Sequence, residues 1–330
     1  MKIKILNQKS VKQAITIKEA ISAVKDAFAQ LSSQDAVVPI RSQIPIAKDK
    51  GISLFMPAYL KKSQSLGAKI VSVFPDNPSK NLPTISALVI VLDVETGRPK
   101  AILDGTFLTA LRTGAASGVA TDLLARQNAS TASVFGAGTQ GRTQMEAVCT
   151  VRAIEKIWIY DPDFSAADLF VQELKEKGPP FPQDISIASS PEHAVAQADI
   201  ICTATTSFLP VFDDKDIKPG VHINGVGSYT PEMQEIPAET VMRAKVFVDS
   251  TSASWEEAGD LIIPLQKGLI DKAHIRGELG EVALGKIEGR DNGENITFFK
   301  SVGVAVQDVS VAQIILRTAD KLGLGLDVDL

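Results

Sequence analysis

Hydrophobic positions change their period twice along the chain, and each change predicts a different kind of structure. Residues 2–6 alternate polar and apolar, the signature of a short half-buried strand. Val11, Ile15, Ala20, Ile21, Val24, Phe28 and Leu31 then fall on the face of one helix. Four β-like pieces follow at 40–46, 52–58, 66–74 and 84–94, parted by Pro and Gly. The turn Glu95-Thr96-Gly97-Arg98-Pro99 leads into a strand at 100–103, which reads as a hairpin. Many strands and few helices here predict an antiparallel or mixed sheet, curled or barrel-like. Near Gly105 the character shifts: residues 106–126 have helical spacing, with Gly114-Ala115-Ala116-Ser117-Gly118 permitting close backbone packing. From there strand and helix alternate. Strands are predicted at 132–135, 156–160, 185–188, 200–204, 222–226 and 245–248, and helices at 140–151, 165–175 and 191–196. Such alternation implies a parallel sheet covered on both faces. Residues 302–316 are apolar at helical spacing and predict a final helix that returns to the first domain.

Composition narrows the function classes. The chain has 330 residues, enough for two domains; 45% are hydrophobic and 22% charged, the balance of a globular protein. A formal charge of −5 provides no field for a phosphate backbone, so nucleic acid is not expected as a partner. No apolar run reaches the ~18–20 residues that cross a bilayer, and the first residues lack a signal-peptide pattern, so no membrane partner and a cytoplasmic location are expected. Cys149 and Cys202 sit in apolar surroundings and read as buried thiols. His193, His222 and His274 are widely separated, read as surface or loop residues, and form no metal-binding spacing; no metal is expected.

The strongest local signal is Phe135-Gly136-Ala137-Gly138-Thr139-Gln140-Gly141, which follows a β-type run and opens a helical one. Gly136 permits the tight turn, Gly138 lets the backbone approach a pyrophosphate, and Gly141 lets helix and strand pack closely. The helix N-terminus, at Thr139 and Gln140, faces the negative charge. Asp161 stands 20 residues after Gly141, at a strand end, where it can accept hydrogen bonds from ribose hydroxyls. A 2′-phosphate would be repelled there, and Asp161-Pro162-Asp163 carries no Arg; NAD(H) is therefore the expected cofactor, with NADP(H) left open. Thr203 and Thr205 follow one strand, and Val226, Gly227 and Ser228 another, where strand C-termini would meet the cofactor. Ordinary strand-ending turns are the alternative for both.

Nearly the whole chain resembles the ornithine cyclodeaminase/mu-crystallin family. Five motifs carry the resemblance: Arg41 after Val38-Pro39-Ile40, Leu66-Gly67-Ala68-Lys69-Ile70-Val71, Ala110-Leu111-Arg112-Thr113-Gly114-Ala115, the glycine fingerprint, and Phe299-Lys300-Ser301-Val302-Gly303. The resemblance implies an α/β fold with a Rossmann-type parallel-sheet domain and an N-terminal open-barrel-like α+β domain, completed by the C-terminal helix. Residues 1–115 plus about 305–330 would bind substrate and form a homodimer; residues 116–304 would bind the dinucleotide. It also implies that Arg41, Lys69 and Arg112 hold a substrate carboxylate, with Arg112 reaching the cofactor and Val302 lining the substrate. Thr84 and Ser301 would touch the cofactor. Lys69 would be the proton-relaying catalytic group. The chemistry agrees, since a guanidinium clamps a carboxylate through two parallel bonds and a desolvated Lys can relay a proton. Without the family, each cation could instead be a solvated charge or a structural ion pair, and Thr84 a plain strand residue. Asp308, on the last helix, is open between a partner for these cations and a surface charge.

One departure decides among the family's activities. Cyclodeaminases of this family place an acidic residue after the second glycine turn, where Tyr229 stands here. A phenol with a pKa of about 10 is a poor base near neutrality, so cyclodeamination is disfavoured. The Gly-Ser-aromatic-x-Pro form is similar to bacterial Δ1-pyrroline-2-carboxylate reductases. The expected reaction is NAD(H)-dependent reduction of a cyclic imino acid to L-proline, or of its six-membered homologue to L-pipecolate. An alanine-type amino-acid dehydrogenase is the main alternative, ahead of a cyclodeaminase or a non-catalytic binder. Trp255-Glu256-Glu257-Ala258-Gly259-Asp260 reads as a solvated loop or helix face, or as an edge of the site.

Overall fold

A computed structural model describes residues 1–49 and 51–330, apart from the side chains of Asp49 and Pro78. The chain divides into two compact units, Met1–Arg112 with Val304–Leu330, and Thr113–Gly303. The first opens with β1 (Lys2–Leu6), α1 (Gln8–Ala14), α2 (Ile17–Ser32), β2 (Ala36–Val37) and β3 (Ser42–Ile46). It continues through β4 (Gly51–Leu60), β5 (Ser65–Val73), β6 (Ile85–Leu92) and β7 (Pro99–Asp104) into α3 (Gly105–Leu124). The second unit runs β8 (Thr131–Phe135), α4 (Thr139–Val151), β9 (Lys156–Tyr160), α5 (Phe164–Lys177), β10 (Asp184–Ile187) and α6 (Pro191–Ala196). Next come β11 (Ile200–Thr203), β12 (His222–Gly225), α7 (Ala238–Arg243), β13 (Lys245–Val248), α8 (Thr251–Glu257) and α9 (Gly259–Gln266). β14 (Ile275–Glu278), α10 (Leu279–Ala283) and β15 (Thr297–Lys300) close it, and α11 (Ala305–Leu322) with β16 (Leu326–Asp329) returns to the first unit.

The single amphipathic helix expected near the start is two helices. Thr16 ends the first turn-run and starts the next with a capping box: its hydroxyl accepts the Glu19 amide at 3.3 Å, and Glu19 accepts the Thr16 amide at 2.8 Å. A helix start leaves donors without intrahelical partners, and the Thr-x-x-Glu box satisfies two of them here, the amides of Thr16 and Glu19. The two helices bury Val11, Ala20, Ile21, Val24 and Phe28, while Ile15 is buried between them and Leu31 is half-buried.

The first unit's sheet runs β16-β1-β7-β6-β5-β4-β2, with β3 also on β4. β1 and β7 are parallel and the other pairs antiparallel, a mixed sheet as its turn-punctuated strands predict. Along β5 the burial alternates strictly from Ser65 to Val71, and α11 packs on this strand. That alternation points Lys69 inward with Gly67 and Val71.

The second unit is a parallel eight-stranded sheet in the order β10-β9-β8-β11-β12-β15-β13-β14. From β8 the chain moves outward through β9 and β10, then returns to β11 on the other side of β8. Such a reversal opens a crevice at the strand C-termini. β15 pairs with both β12 and β13 at the sheet's interior, where the sequence reading placed no strand. It is only four residues long and ends in Lys300, so no apolar run announces it.

His222, expected at the surface, is buried on β12. Its Nδ1 lies 3.0 Å from Thr297 Oγ1 and its Nε2 lies 3.2 Å from Asn224 Oδ1. Burial, followed by the charge of Arg290, pushes its pKa down from 6.5 to about 3. The unfolded chain binds a proton below pH 6.5 that the folded chain refuses until about pH 3. Stability should therefore fall with pH across that window, by ~1.4 kcal/mol per pH unit from this group. Urea midpoints between pH 7 and pH 4 should show a shallower decline in His222→Gln than in the wild type.

Candidate active site

In the second unit, the turn between β8 and α4 has the conformation its glycines allow. Gly136 has φ +102, and a Cβ there would stand 2.6 Å from the Ala204 carbonyl oxygen. A Cβ on Gly141 would overlap the Gly136 carbonyl oxygen, whereas one on Gly138 would meet nothing within 4 Å. The turn is thus closed on its protein side and open at Gly138. Gly138 caps α4 with no side-chain bond, so the first helical amides keep their donors for a ligand. Thr139 is exposed there and Gln140 half-buried. At the end of β9, Asp161 Oδ2 accepts the Ala137 amide at 2.8 Å, and Oδ1 accepts the Asp163 amide at 2.9 Å. These bonds hold the carboxylate beside a cleft of about 580 Å³, lined by Gly136, Gly138, Asp161, Thr205, Pro191 and Val211 among others.

Thr203, Thr205, Gly227 and Ser228 are gathered by a residue the sequence reading missed. Buried Glu235 accepts the Thr205 amide (2.7 Å) and hydroxyl (2.8 Å) on Oε1. Its Oε2 accepts the Thr203 hydroxyl (3.0 Å) and the amides of Gly227 (2.7 Å) and Ser228 (3.0 Å). Val226 joins the same region through its amide, which donates to the Thr203 carbonyl at 3.0 Å. Asp260 also departs from the sequence reading. It is buried rather than solvated, its Oδ1 accepting the amides of Glu235 (2.7 Å) and Ile236 (3.0 Å), with its Oδ2 paired to Lys300 at 3.0 Å. The preceding Trp255 to Glu257 stretch closes α8, and Gly259 and Asp260 open α9. Asp249 was likewise missed. Its Oδ2 accepts the Ser301 hydroxyl at 2.7 Å and the amides of Val302 (3.1 Å) and Gly303 (2.7 Å), which shapes the turn after β15. Glu235 lies in a segment without hydrophobic period, so only its acidic side chain could have flagged it; Asp260 directly precedes the apolar run Leu261-Ile262-Ile263, which signals a buried helix.

In the first unit, Lys69, Arg112 and Asp308 meet. Lys69 Nζ donates to Asp308 Oδ1 at 3.0 Å and lies 2.9 Å from Oδ2; Arg112 Nε donates to the same Oδ1 at 2.9 Å. All three are buried, so Asp308 is the cations' partner and not a surface charge. Gln307, also unanticipated, accepts Arg112 Nη1 at 2.6 Å and the Val304 amide at 3.2 Å through Oε1. These bonds engage Nε and Nη1 of the guanidinium and fix its plane. Burial first, and the Arg112 charge next, pull the Lys69 pKa down from 10.5 to about 8, against Asp308, which raises it. Arg41, half-buried before β3, is near enough to lower it further. Thr84 is half-buried ahead of β6, its carbonyl accepting the Phe74 amide at 2.8 Å. The arrangement provides a buried ammonium that titrates near neutrality beside a fixed guanidinium. Tyr229 differs: it is 37% exposed, and burial pushes its phenol above the usual 10.

A model of the ornithine cyclodeaminase/mu-crystallin family matches residues 1–321. The chain belongs to that family. A Δ1-pyrroline-2-carboxylate reductase of Bacillus cereus is 39% identical over 322 residues, covering 97% of this chain and 98% of the relative. An alanine dehydrogenase of Archaeoglobus fulgidus is 36% identical over 325 residues, covering 98% of each. Among solved structures, the Thermococcus litoralis Δ1-pyrroline-2-carboxylate reductase in complex with NADH and L-proline superposes with a TM-score of 0.95. It is 41% identical and is matched over 99% of this chain and 100% of its own. As a family member, the chain has the expected mixed α/β architecture, with one parallel and one mainly antiparallel sheet. Among the described residues no group of three or more His, Cys, Asp or Glu is placed to hold a metal ion.

Proposed function

We propose that this chain is an NAD(H)-dependent reductase of cyclic imino acids, converting Δ1-pyrroline-2-carboxylate to L-proline and accepting its six-membered homologue. The observation that carries the reading is the buried Lys69–Asp308–Arg112 cluster, in a chain whose relatives along its whole length include reductases of that name. The cofactor fits the second unit: the α4 amides are uncapped, Gly138 leaves its side of the turn open, and Asp161 offers acceptors at the adenosine end. Bound there, reduced nicotinamide supplies the hydride that C2 of the imine accepts. Arg112, with its plane fixed by Asp308 and Gln307, and Arg41 hold the substrate carboxylate and so fix the adjacent carbon. Lys69 keeps the proton on the ring nitrogen, because an iminium accepts hydride far better than a neutral imine. Asp308 keeps Lys69 protonated at neutral pH despite its burial. Val302 lines the substrate; Thr84, Ser301 and the turns at 203–205 and 226–228 meet the cofactor.

The Lys69 value sets a pH dependence. The ammonium form is full below about pH 8 and is lost above it. Hence kcat/KM for imine reduction should be flat below pH 8 and fall about tenfold per unit above it. L-proline oxidation, which needs the free amine, should rise through the same region. A reduction profile without that limb would remove Lys69 from proton transfer.

On this reading the first unit binds substrate and pairs two copies. Across its sheet Phe55, Ile70 and Leu88 lie in register on the outward face. Phe55 is 37% and Leu88 49% exposed, an apolar face suited to a second copy in a homodimer. No helix among the described residues is long and apolar enough to cross a membrane, and a cytoplasmic site of action is part of the proposal. The deciding assay mixes purified protein with NADH and Δ1-pyrroline-2-carboxylate and follows loss of reduced nicotinamide, with NADPH and with pyruvate plus ammonia as parallel arms. Turnover with the imine establishes the reductase. Turnover with pyruvate and ammonia alone would make it an amino-acid dehydrogenase.

A further inference from the structure

We infer that Glu235 is the positioning residue of the dinucleotide site, tying the loop after β11 to the loop after β12 at the spacing the cofactor requires. This rests on the proposal that the cleft at Gly138, Asp161 and Thr205 holds NAD(H).

Five donors from two separate loops converge on one carboxylate. Oε1 takes the amide and hydroxyl of Thr205, while Oε2 takes the Thr203 hydroxyl and the Gly227 and Ser228 amides, all between 2.7 and 3.0 Å. Thr205 also lines the cleft. The fit is close: a Cβ on Gly227 would overlap the Thr205 carbonyl and the Glu235 carboxylate. The turn after β8 is set against the loop after β11, since Gly136 passes the Ala204 carbonyl with no room for a Cβ. Beneath it, Asp260 holds the backbone from which Glu235 reaches, and Lys300 pairs with Asp260.

A carboxylate is the side chain this geometry needs. Both of its oxygens only accept, and each is approached only by donors. An amide has one accepting atom, so Gln at this position would aim two N–H bonds at either the Thr205 pair or the Thr203, Gly227 and Ser228 trio. The loops would then part on one side. The β8 turn and the Lys69 cluster make none of these bonds, so the change should be read in the cofactor and not in the chemical step.

The test is Glu235→Gln and Glu235→Asp in the full chain, each titrated with NADH by fluorescence and assayed with Δ1-pyrroline-2-carboxylate. Glu235→Gln should raise the NADH Kd and KM about 10- to 100-fold, with kcat at saturating NADH within about threefold and the imine KM unchanged. Glu235→Asp keeps the charge and both acceptors on a shorter arm, and should recover part of the lost affinity. A purely structural role predicts a lower Tm and a smaller active fraction with the wild-type NADH Kd. That result in either folded variant would overturn the inference, as would failure of both variants to fold, which would make Glu235 a folding residue. Wild-type protein that fails to bind NADH would instead sink the cofactor assignment itself.

Discussion

Lys69→Ala should lower kcat for imine reduction about 10²- to 10⁴-fold, the range for removing a positioned proton donor. Burial and two neighbouring guanidinium groups bring its pKa to about 8, where the ammonium can hold a proton on the ring nitrogen and yet release it. Lys69→Arg separates charge from proton transfer. A guanidinium titrates above about pH 12, so it would preserve the positive charge beside Asp308 but not give up a proton. Both variants should lose the pH 8 limb of the profile. Lys69→Arg should retain more substrate affinity than Lys69→Ala, because carboxylate attraction survives in it. Lys69→Ala within about threefold of wild type would show that the proton comes from elsewhere.

The second large effect is expected at Asp308. It pairs with both Lys69 and Arg112, and all three are buried. Asp308→Ala strands two like charges in low dielectric, a change that costs about 3–5 kcal/mol. The effect should appear as a lower urea midpoint with little change in slope. The stranded Lys69 would also shed its proton more readily, because Asp308 is what raises its pKa against burial. Reduction at neutral pH should fall accordingly and recover partly as the pH is lowered. Asp308→Ala as stable as wild type would mean that the cluster does not hold its charges as described.

Several features of the fold could be read without coordinates because they depend on local chemistry. The strand–glycine–helix run at 135–141 needs particular backbone conformations that few residues other than Gly adopt, and Gly136 at φ +102 shows the need directly. The facing of β5 could not be read this way: its apolar residues Leu66, Ala68 and Ile70 are only half-buried, while Ser65, Gly67, Lys69 and Val71 face inward. The break at Thr16 was also legible, in its Thr-x-x-Glu cap, but the continuous apolar stripe on both sides masked it. β15 was not legible at all. Its four residues owe their strand to β12 and β13 on either side, and only the assembled sheet supplies those partners.

The candidate site divides along the same line. The glycines and Asp161 carry their chemistry in their own identity, so their types and order were enough to propose a dinucleotide; the carboxylate clamp and the proton relay followed from the family resemblance. The acidic residues that hold them were another matter. Asp308 is 239 residues from Lys69, and Glu235 reaches back 32 residues to Thr203. A carboxylate's sequence neighbours do not report whether it is solvated or buried. Its role follows from which donors the fold brings within hydrogen-bond distance. The sequence by itself therefore determined most of the kinds of element and the glycine turn, and through its family resemblance it put the cations forward as candidates. Tertiary structure alone decided which carboxylates balance those cations and bind the loops, because burial and pairing are properties of packed neighbours, not of residues taken singly.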